Sequence, residues 1–277
     1  MDEIFDLIVI GSGPAGVSAA LTARHRGKSA LMVTTAPEDS MLWRAEHIDN
    51  YPGFPAATGP ELVTALVRHA EASGVKLMRG RALAVADLGG VFGVSVGADF
   101  VQGRAVVLAC GLTRAKPFPG EAEYLGRGVS YCATCDGMLY RGRRVAVVGL
   151  SAEAPEEAGY LRSIGCEVEY FDAGRAKRYE ITGAERVTAL RADGEEFPVE
   201  GVFIFRSGLA PDSLLPGLEV EGGHIVTRAG MATNIPGVFA AGDVAGAPYQ
   251  AAKAAGEGCV AGLAACKYIE SKTKEEK

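Results

Sequence analysis

A glycine-rich turn between an apolar strand and a small-residue helix constrains the fold of this chain more than any other feature. Asp6 to Ile10 is an apolar run, typical of a strand buried on both faces of a parallel sheet. Gly11-Ser12-Gly13-Pro14-Ala15-Gly16 follows, and a helix is predicted from Ala15 to Arg26. In such a pattern the first glycine turns the chain, the second admits a pyrophosphate, and the third lets helix and strand pack closely. The context predicts a bound dinucleotide, and the alternative is a tight strand–helix turn without a ligand.

Two later strand ends are expected to meet the same ligand. The strand from Ser29 to Thr34 should end near the adenosine ribose, where Thr34 replaces the usual acidic residue, so we assign Thr34 as the ribose contact. The strand within Ile235–Asp243 ends in Gly242-Asp243. The Asp243 carboxylate either accepts hydrogen bonds from ribityl hydroxyls or caps a helix, and both readings stay open.

The segment between these strands contains aromatic residues and a helix start. Trp43, the only tryptophan, precedes Tyr51, and such rings form either a packed loop or a wall for a flat ligand, including a second flavin. Thr58-Gly59-Pro60-Glu61 predicts a capping box that begins a helix ending near Ser73. A further helix is predicted from Tyr249 to Glu270.

The stretch Cys132-Ala133-Thr134-Cys135-Asp136 predicts a redox-active dithiol. Two thiols separated by two residues can close and open a disulfide, and the adjacent carboxyl can move the proton that each exchange step requires. A zinc site is the alternative, but the chain has no second Cys-x-x-Cys and no His-x(3–5)-His. We therefore predict no metal. Cys110, Cys166, Cys259 and Cys266 are expected to be buried core thiols.

A second strand–turn–helix unit begins at Arg143, but its turn departs from the dinucleotide pattern. Ser151 replaces the middle glycine of the turn that starts at Gly149, and its side chain blocks the closest approach of a pyrophosphate. The next strand ends at Asp172, an acid at a distance that could hold the ribose of NAD but would repel the extra phosphate of NADP. Only about 30 residues separate Asp172 from the next apolar strand, so this second domain is predicted to be reduced.

Bulk properties exclude several classes of function. The chain has 28 Lys and Arg against 34 Asp and Glu, a net charge of −6, without a basic run that would suit nucleic acid. No apolar run reaches the length of about 20 residues that a membrane span needs, and the acidic start at Asp2-Glu3 is unlike a signal peptide. Six irregularly spaced cysteines without a leader suggest a reducing compartment, so we expect a cytoplasmic protein.

Four stretches together resemble the low-molecular-weight thioredoxin reductases from end to end. They are Gly11–Gly16, Asn50-Tyr51-Pro52-Gly53, Cys132–Asp136 and Ile235–Asp243. The resemblance implies an α/β homodimer with two Rossmann-like nucleotide-binding domains, the second reduced and inserted into the first. The expected FAD-binding domain comprises 1–113 plus 230–277, and the expected dithiol domain comprises 114–229.

The resemblance also implies roles for individual residues. Cys135 would face the flavin C4a, Cys132 would attack the external disulfide, and Asp136 would transfer the proton. Asp243 and the segment Tyr249-Gln250-Ala251 would contact FAD. The residues expected to bind this cofactor, one per subunit, are Gly11, Ser12, Gly13, Pro14, Ala15, Gly16, Thr34, Asn50, Gly111, Gly242, Asp243, Gln250 and Ala251.

The departures from the family lie where it binds NADPH. The Gly-Gly-Gly turn is lost around Ser151, and Asp172-Ala173-Gly174-Arg175 replaces the basic phosphate clamp. The chain is thus similar to the subgroup that lacks the NADPH motifs and includes ferredoxin-dependent flavin thioredoxin reductases. Three hypotheses follow: a flavin disulfide reductase that takes electrons from ferredoxin and acts on thioredoxin or a similar small protein, the same enzyme with an atypical NADH or NADPH site, and a flavin redox sensor without turnover.

Overall fold

The computed structural model describes residues 3–111, 117–151, 154–206 and 211–275. The strands, in chain order, are β1 (Ile4–Ile10), β2 (Ala30–Thr34), β3 (Lys76–Arg79), β4 (Ala82–Asp87), β5 (Phe92–Val96), β6 (Asp99–Leu108), β7 (Val129–Ser130), β8 (Arg144–Leu150), β9 (Glu167–Phe171), β10 (Tyr179–Gly183), β11 (Val187–Ala192), β12 (Glu195–Pro198), β13 (Gly201–Arg206), β14 (Val220–Glu221), β15 (His224–Ile225) and β16 (Val238–Ala240). The α-helices are α1 (Pro14–His25), α2 (Gly59–Ala72), α3 (Glu121–Tyr124), α4 (Ala133–Asp136), α5 (Ala154–Ser163), α6 (Pro211–Leu214) and α7 (Ala251–Glu275).

The chain divides into two compact units, one comprising Met1–Thr113 and Leu209–Lys277, the other Arg114–Gly208. The predicted boundary at 113/114 lies outside the described residues. The predicted boundary at 229/230 differs from this division, in which the first unit begins again about 20 residues earlier. Leu214, Leu218 and Ile225 pack in the same apolar cluster as Ile8 and Val106, so burial of their side chains places this segment in the first unit.

The first unit is built on one mixed sheet. Its strand order is β3-β2-β1-β6-β5-β4, with β16 also paired to β6. The strands β3, β2, β1, β6 and β16 are parallel, whereas β4 and β5 pair antiparallel. Leu7 and Val9 join the cluster that contains residues of α1 and α7, and Ile8 and Ile10 join the cluster on the opposite face. This burial on both faces explains why β1 is a continuous apolar run.

The second unit is a reduced version of the same architecture. Its parallel sheet has the order β7-β13-β8-β9, and α5 makes the crossover between β8 and β9. Val147 and Phe203 pack against the side of α5, while Ala146 and Ile204 pack against the antiparallel sheet β10-β11-β12. The predicted α/β class with Rossmann-like parallel sheets is confirmed.

The predicted helix boundaries agree closely with the structure where capping signals exist. The Thr58 hydroxyl accepts the N–H of Glu61, and the Glu61 carboxylate accepts the N–H of Thr58 at 2.8 Å, which is the predicted capping box at the start of α2. Among the described helices, none is both long and apolar enough to cross a membrane.

Candidate active site

In the first glycine turn, the two outer glycines lie against other backbone atoms, whereas the space beside the middle glycine is open. Gly11 has φ +111°, and a Cβ there would collide with the carbonyl of Ala109. A Cβ at Gly16 would collide with the carbonyl of Gly11. A Cβ at Gly13 would meet no protein atom within 4 Å. The turn therefore fits the dinucleotide pattern, because the glycine with free space is the one that a pyrophosphate would approach.

Other predicted cofactor-binding residues follow the carboxyl ends of the same parallel strands. Ser12 and Thr34 lie at the ends of β1 and β2, with their hydroxyl oxygens 2.5 Å apart. Gly111 follows β6 with φ +71°. Pro14 and Ala15 are buried in the first turn of α1, and Ala15 packs against Gly258 of α7. Ligands of open α/β sheets bind at this edge, so the sheet brings these residues to the expected place.

The segment after β16 contains four more of the predicted residues. Gly242 has φ +84°, and Asp243 begins a short 3-10 helix that ends at Ala245. Burial raises the pKa of the Asp243 carboxyl, against a lowering by the charge of Lys253. Ala251 is the first residue of α7, and the Oε1 of Gln250 accepts the Nδ2–H of Asn50 at 2.7 Å. Asn50 and Gln250, 200 residues apart in the sequence, therefore meet in the folded unit.

The dithiol of the second unit is a closed disulfide between Cys132 and Cys135, with Cα atoms 5.4 Å apart. Cys132 is buried, whereas Cys135 is exposed. The backbone N–H of Cys135 donates to the Sγ of Cys132 at 3.1 Å, and the Thr134 hydroxyl lies 3.4 Å from the same sulfur. Hydrogen bonds of this kind favour the thiolate form of a cysteine.

Ser130 connects the dithiol to the adjacent carboxylate, a role that sequence reasoning missed. Its hydroxyl donates to the Oδ2 of Asp136 at 2.6 Å and accepts the backbone N–H of Cys132 at 3.1 Å. Ser130 is itself buried, at the end of the two-residue strand β7. It therefore fixes the Asp136 carboxylate relative to the backbone of Cys132, which is what a proton-transfer group beside a thiol needs. In the sequence, only the position of Ser130 six residues before Asp136 could have indicated this contact.

Known proteins resemble this arrangement over nearly the whole chain. Residues 5–177 and 173–258 match the profile of the family described as Pyridine nucleotide-disulphide oxidoreductase. The thioredoxin reductase of Aquifex aeolicus is 34% identical over 99% of this chain and 96% of that protein. The chain belongs to this oxidoreductase family.

Two solved structures resemble the fold of this oxidoreductase closely. A ferredoxin-flavin thioredoxin reductase from Clostridium acetobutylicum matches with a TM-score of 0.90 and 35% identity, covering 97% of this chain and 98% of that one. A thioredoxin reductase from Gloeobacter violaceus matches with a TM-score of 0.82 and 33% identity, covering 97% and 95%. The protein is accordingly a flavoprotein oxidoreductase of the thioredoxin reductase type.

Replacing Ser130 by Ala tests its role in this oxidoreductase. We expect disulfide reduction to slow about tenfold, since correct placement of a proton-transfer group contributes factors of that order or more. The buried N–H of Cys132 would also lose its partner, which costs about 1–3 kcal/mol of unfolding free energy. Steady-state turnover and urea unfolding measure the two effects. Ser163→Ala is the matched control, because that exposed hydroxyl bonds only to the Tyr160 carbonyl of its own helix; equal activity in both variants would contradict the assignment.

The four remaining cysteines are free thiols that differ in exposure. Cys166 and Cys266 are buried, as predicted, whereas Cys110 and Cys259 are exposed, so the prediction was wrong for these two. Cys110 lies next to the backbone of Gly11 at the carboxyl edge of the sheet.

The second glycine turn of this oxidoreductase carries a side chain at its middle position. Ser151 stands where the first turn has Gly13, and its hydroxyl is buried without a hydrogen-bond partner in the described chain. Arg175, the basic residue of the stretch 172–175, is bonded to the carboxylate of Glu169 and lies 4.2 Å from the Phe171 ring centroid. The position that is open at Gly13 is therefore occupied by a serine side chain in the second unit.

Proposed function

We propose that this protein is a flavin-dependent disulfide reductase that passes electrons from ferredoxin, through FAD and the Cys132–Cys135 pair, to the disulfide of thioredoxin or a similar small protein. The contrast between the two glycine turns carries this proposal. Gly13 leaves room for the pyrophosphate of FAD, whereas the side chain of Ser151, with a buried hydroxyl, stands at the equivalent position in the second unit. This contrast supports a single dinucleotide site, for FAD, and an electron donor other than NADPH.

FAD would be held by the residues at the carboxyl edge of the first sheet. The backbone of Gly11–Gly16 would receive its pyrophosphate, and Asp243 would accept hydrogen bonds from its ribityl hydroxyls. Bound FAD supplies the redox chemistry that collects single electrons into the pair needed to open a disulfide. This suits a one-electron donor such as ferredoxin, and the similarity in fold to the ferredoxin-flavin thioredoxin reductase of Clostridium acetobutylicum supports that choice.

The dithiol carries the exchange with the partner protein. In the proposed reaction the Cys132 thiolate attacks one sulfur of the partner disulfide, and the partner's other sulfur leaves as a thiolate. Cys135 then attacks Cys132 in the mixed disulfide, which restores the Cys132–Cys135 bond and frees the partner's second sulfur. The partner gains two electrons and two protons, and Asp136, held by Ser130 at 2.6 Å, is placed to move a proton.

A protein rather than a small molecule is the proposed disulfide substrate because of the surface beside the dithiol. Met138 and Leu139 follow Asp136 closely and are 56% and 67% exposed, the highest values among the large apolar side chains that the structure describes. Exposed apolar side chains next to a redox centre are typical of a protein contact. Cys132 is buried, so its attack on a protein requires this segment to open.

An anaerobic titration of the purified protein tests the donor. Reduced ferredoxin is expected to remove the oxidised-flavin absorbance and then to reduce thioredoxin on addition. NADPH and NADH are expected to leave the absorbance unchanged over the same time, because Ser151 replaces the middle glycine of the second turn and Arg175 is engaged by the carboxylate of Glu169. Rapid loss of absorbance with NADPH would refute the donor assignment and leave an NADPH-dependent thioredoxin reductase.

The remaining expectations concern assembly and location. A homodimer with one FAD per subunit stays a prediction from the resemblance, and a cytoplasmic location stays a prediction from the cysteine pattern. A second flavin beside Trp43 and Tyr51 also stays a prediction; in the structure Tyr51 packs edge-to-face on Phe54 with centroids 6.0 Å apart. Flavin content per subunit, measured after denaturation against protein concentration, decides between one flavin and two.

A further inference from the structure

A turn after β16 is bound by two side chains of α7. The turn runs from Gly242 to Gly246, both with positive φ, and contains the short 3-10 helix that begins at Asp243. Lys253 and Glu257 lie on the first two turns of α7, four residues apart, and form an ion pair at 3.0 Å. Their side chains are 19% and 23% exposed, so this pair is more shielded from water than a surface ion pair.

The pair satisfies the backbone at both ends of the turn. The carboxylate of Glu257 accepts the N–H of Gly242 at 2.9 Å. The ammonium group of Lys253 donates to the carbonyl of Gly246 at 2.6 Å and to the carbonyl of Gly242 at 3.2 Å. One donor and two acceptors of the backbone around Asp243 are therefore tied to α7 by charge-assisted hydrogen bonds.

Local helix energetics do not explain a lysine at this position. Lys253 is the third residue of α7, where a cation is repelled by the positive end of the helix dipole. A lysine that precedes its glutamate by four residues is also the weaker order for a helical ion pair. The position is accounted for by the two carbonyls that Lys253 binds in the turn.

The pair also determines the charge around Asp243. Burial raises the pKa of this carboxyl; among the charged groups near it, Lys253 and His224 lower the pKa and Glu257 raises it. Lys253 thus favours the ionised form of Asp243, which is the form that accepts hydrogen bonds from hydroxyl groups without donating.

We propose that Lys253 and Glu257 are positioning residues that hold the Gly242–Gly246 turn, and with it the Asp243 carboxylate, in the geometry that binds the ribityl chain of FAD. This inference rests on the proposed function, since it takes Asp243 as a cofactor contact. Neither residue touches the cofactor in this proposal; both act through the backbone of the turn.

The first test is FAD affinity in the variants Lys253→Met and Glu257→Gln. We expect the dissociation constant for FAD to rise about tenfold in each single variant. The double variant should show a similar factor, because both side chains hold the same turn and the loss of either one already releases it. Lys253→Arg should restore affinity to within about threefold, since it keeps the charge and its donors. Lys28→Met is the matched control, because Lys28 pairs at 3.5 Å with Glu270 much further along α7. FAD binding equal to the wild type in both test variants would overturn the inference.

The second test separates positioning from general loss of structure. The pKa of Asp243 is raised. As the pH falls through this pKa, Asp243 becomes protonated, and we expect FAD affinity to fall with the loss of the carboxylate. The midpoint of this loss should move to higher pH in Lys253→Met and to lower pH in Glu257→Gln. A merely destabilised fold would move both in the same direction, and that result would refute the proposal.

A third readout keeps the inference distinct from the proposed function. Hydrogen exchange of the Gly242 amide in the protein without cofactor should be faster in Glu257→Gln than in Lys28→Met. If the wild-type protein bound no FAD, the proposed function would fail, while the exchange rate would still test whether Glu257 holds the turn. An unchanged exchange rate of the Gly242 amide in Glu257→Gln would overturn the inference that Glu257 holds the turn.

Discussion

Replacing Gly13 by Ser is expected to abolish tight FAD binding without weakening the fold. A Cβ at Gly13 meets no protein atom within 4 Å, and the backbone there, with φ −71° and ψ −178°, is allowed for any residue. Gly13 is the N-cap of α1, a position where serine is favoured, so the free energy of unfolding without FAD should stay equal or rise by about 0.5 kcal/mol. The added side chain would instead occupy the space of the pyrophosphate, and affinity should fall about 100-fold or more.

The comparison with Gly16 makes this prediction specific. A Cβ at Gly16 would collide with the Gly11 carbonyl, so Gly16→Ser should cost about 3 kcal/mol of unfolding free energy even without FAD. Gly159→Ser is the control, because Gly159 is exposed on α5 with nothing within 4 Å. Urea unfolding of the protein without FAD and fluorescence titration with FAD measure the two quantities. Tight FAD binding by Gly13→Ser would show that the cofactor does not approach this turn.

Replacing either cysteine of the dithiol should reduce turnover by about 10⁴-fold or more, as removal of a covalent nucleophile does in other enzymes. Flavin content should not change, because both cysteines lie in the unit Arg114–Gly208 and the predicted FAD residues lie in the other unit. Turnover is measured with reduced ferredoxin and oxidised thioredoxin. Cys259→Ser, which removes an exposed thiol outside the dithiol, is the control and should keep full activity.

The two single variants also identify the attacking thiol. Cys132 accepts hydrogen bonds from the Cys135 backbone and the Thr134 hydroxyl, which favours its thiolate. The single-cysteine thioredoxin used as the probe carries its remaining sulfur as a mixed disulfide with 2-nitro-5-thiobenzoate, which leaves as a thiolate when a thiol attacks the thioredoxin sulfur. Reduced Cys135→Ser should therefore accumulate a mixed disulfide with this thioredoxin, and Cys132→Ser should not. The opposite outcome, a mixed disulfide only in Cys132→Ser, would mean that the exposed Cys135 attacks the partner, and the proposed roles would be exchanged.

The sequence by itself determined those features that depend on neighbouring residues. The glycine turn of Gly11–Gly16, the capping box of Thr58 and Glu61, and the apolar strands all appear where they were predicted, because turn, cap and strand signals act within a few residues. The loss of a glycine at Ser151 was likewise visible in the sequence, and it led to the expectation of a closed nucleotide turn.

Only the tertiary structure decided which distant groups meet. The folding of the first unit brings Asn50 to Gln250 and Lys253 of α7 to the carbonyls of Gly242 and Gly246. The segment 211–229 belongs to the first unit because Leu214 and Leu218 are buried in that core, although no local pattern marked the change. The exposure of Cys259 was also missed. Cysteine is usually buried, but whether a given cysteine is buried depends on residues that are distant in the sequence.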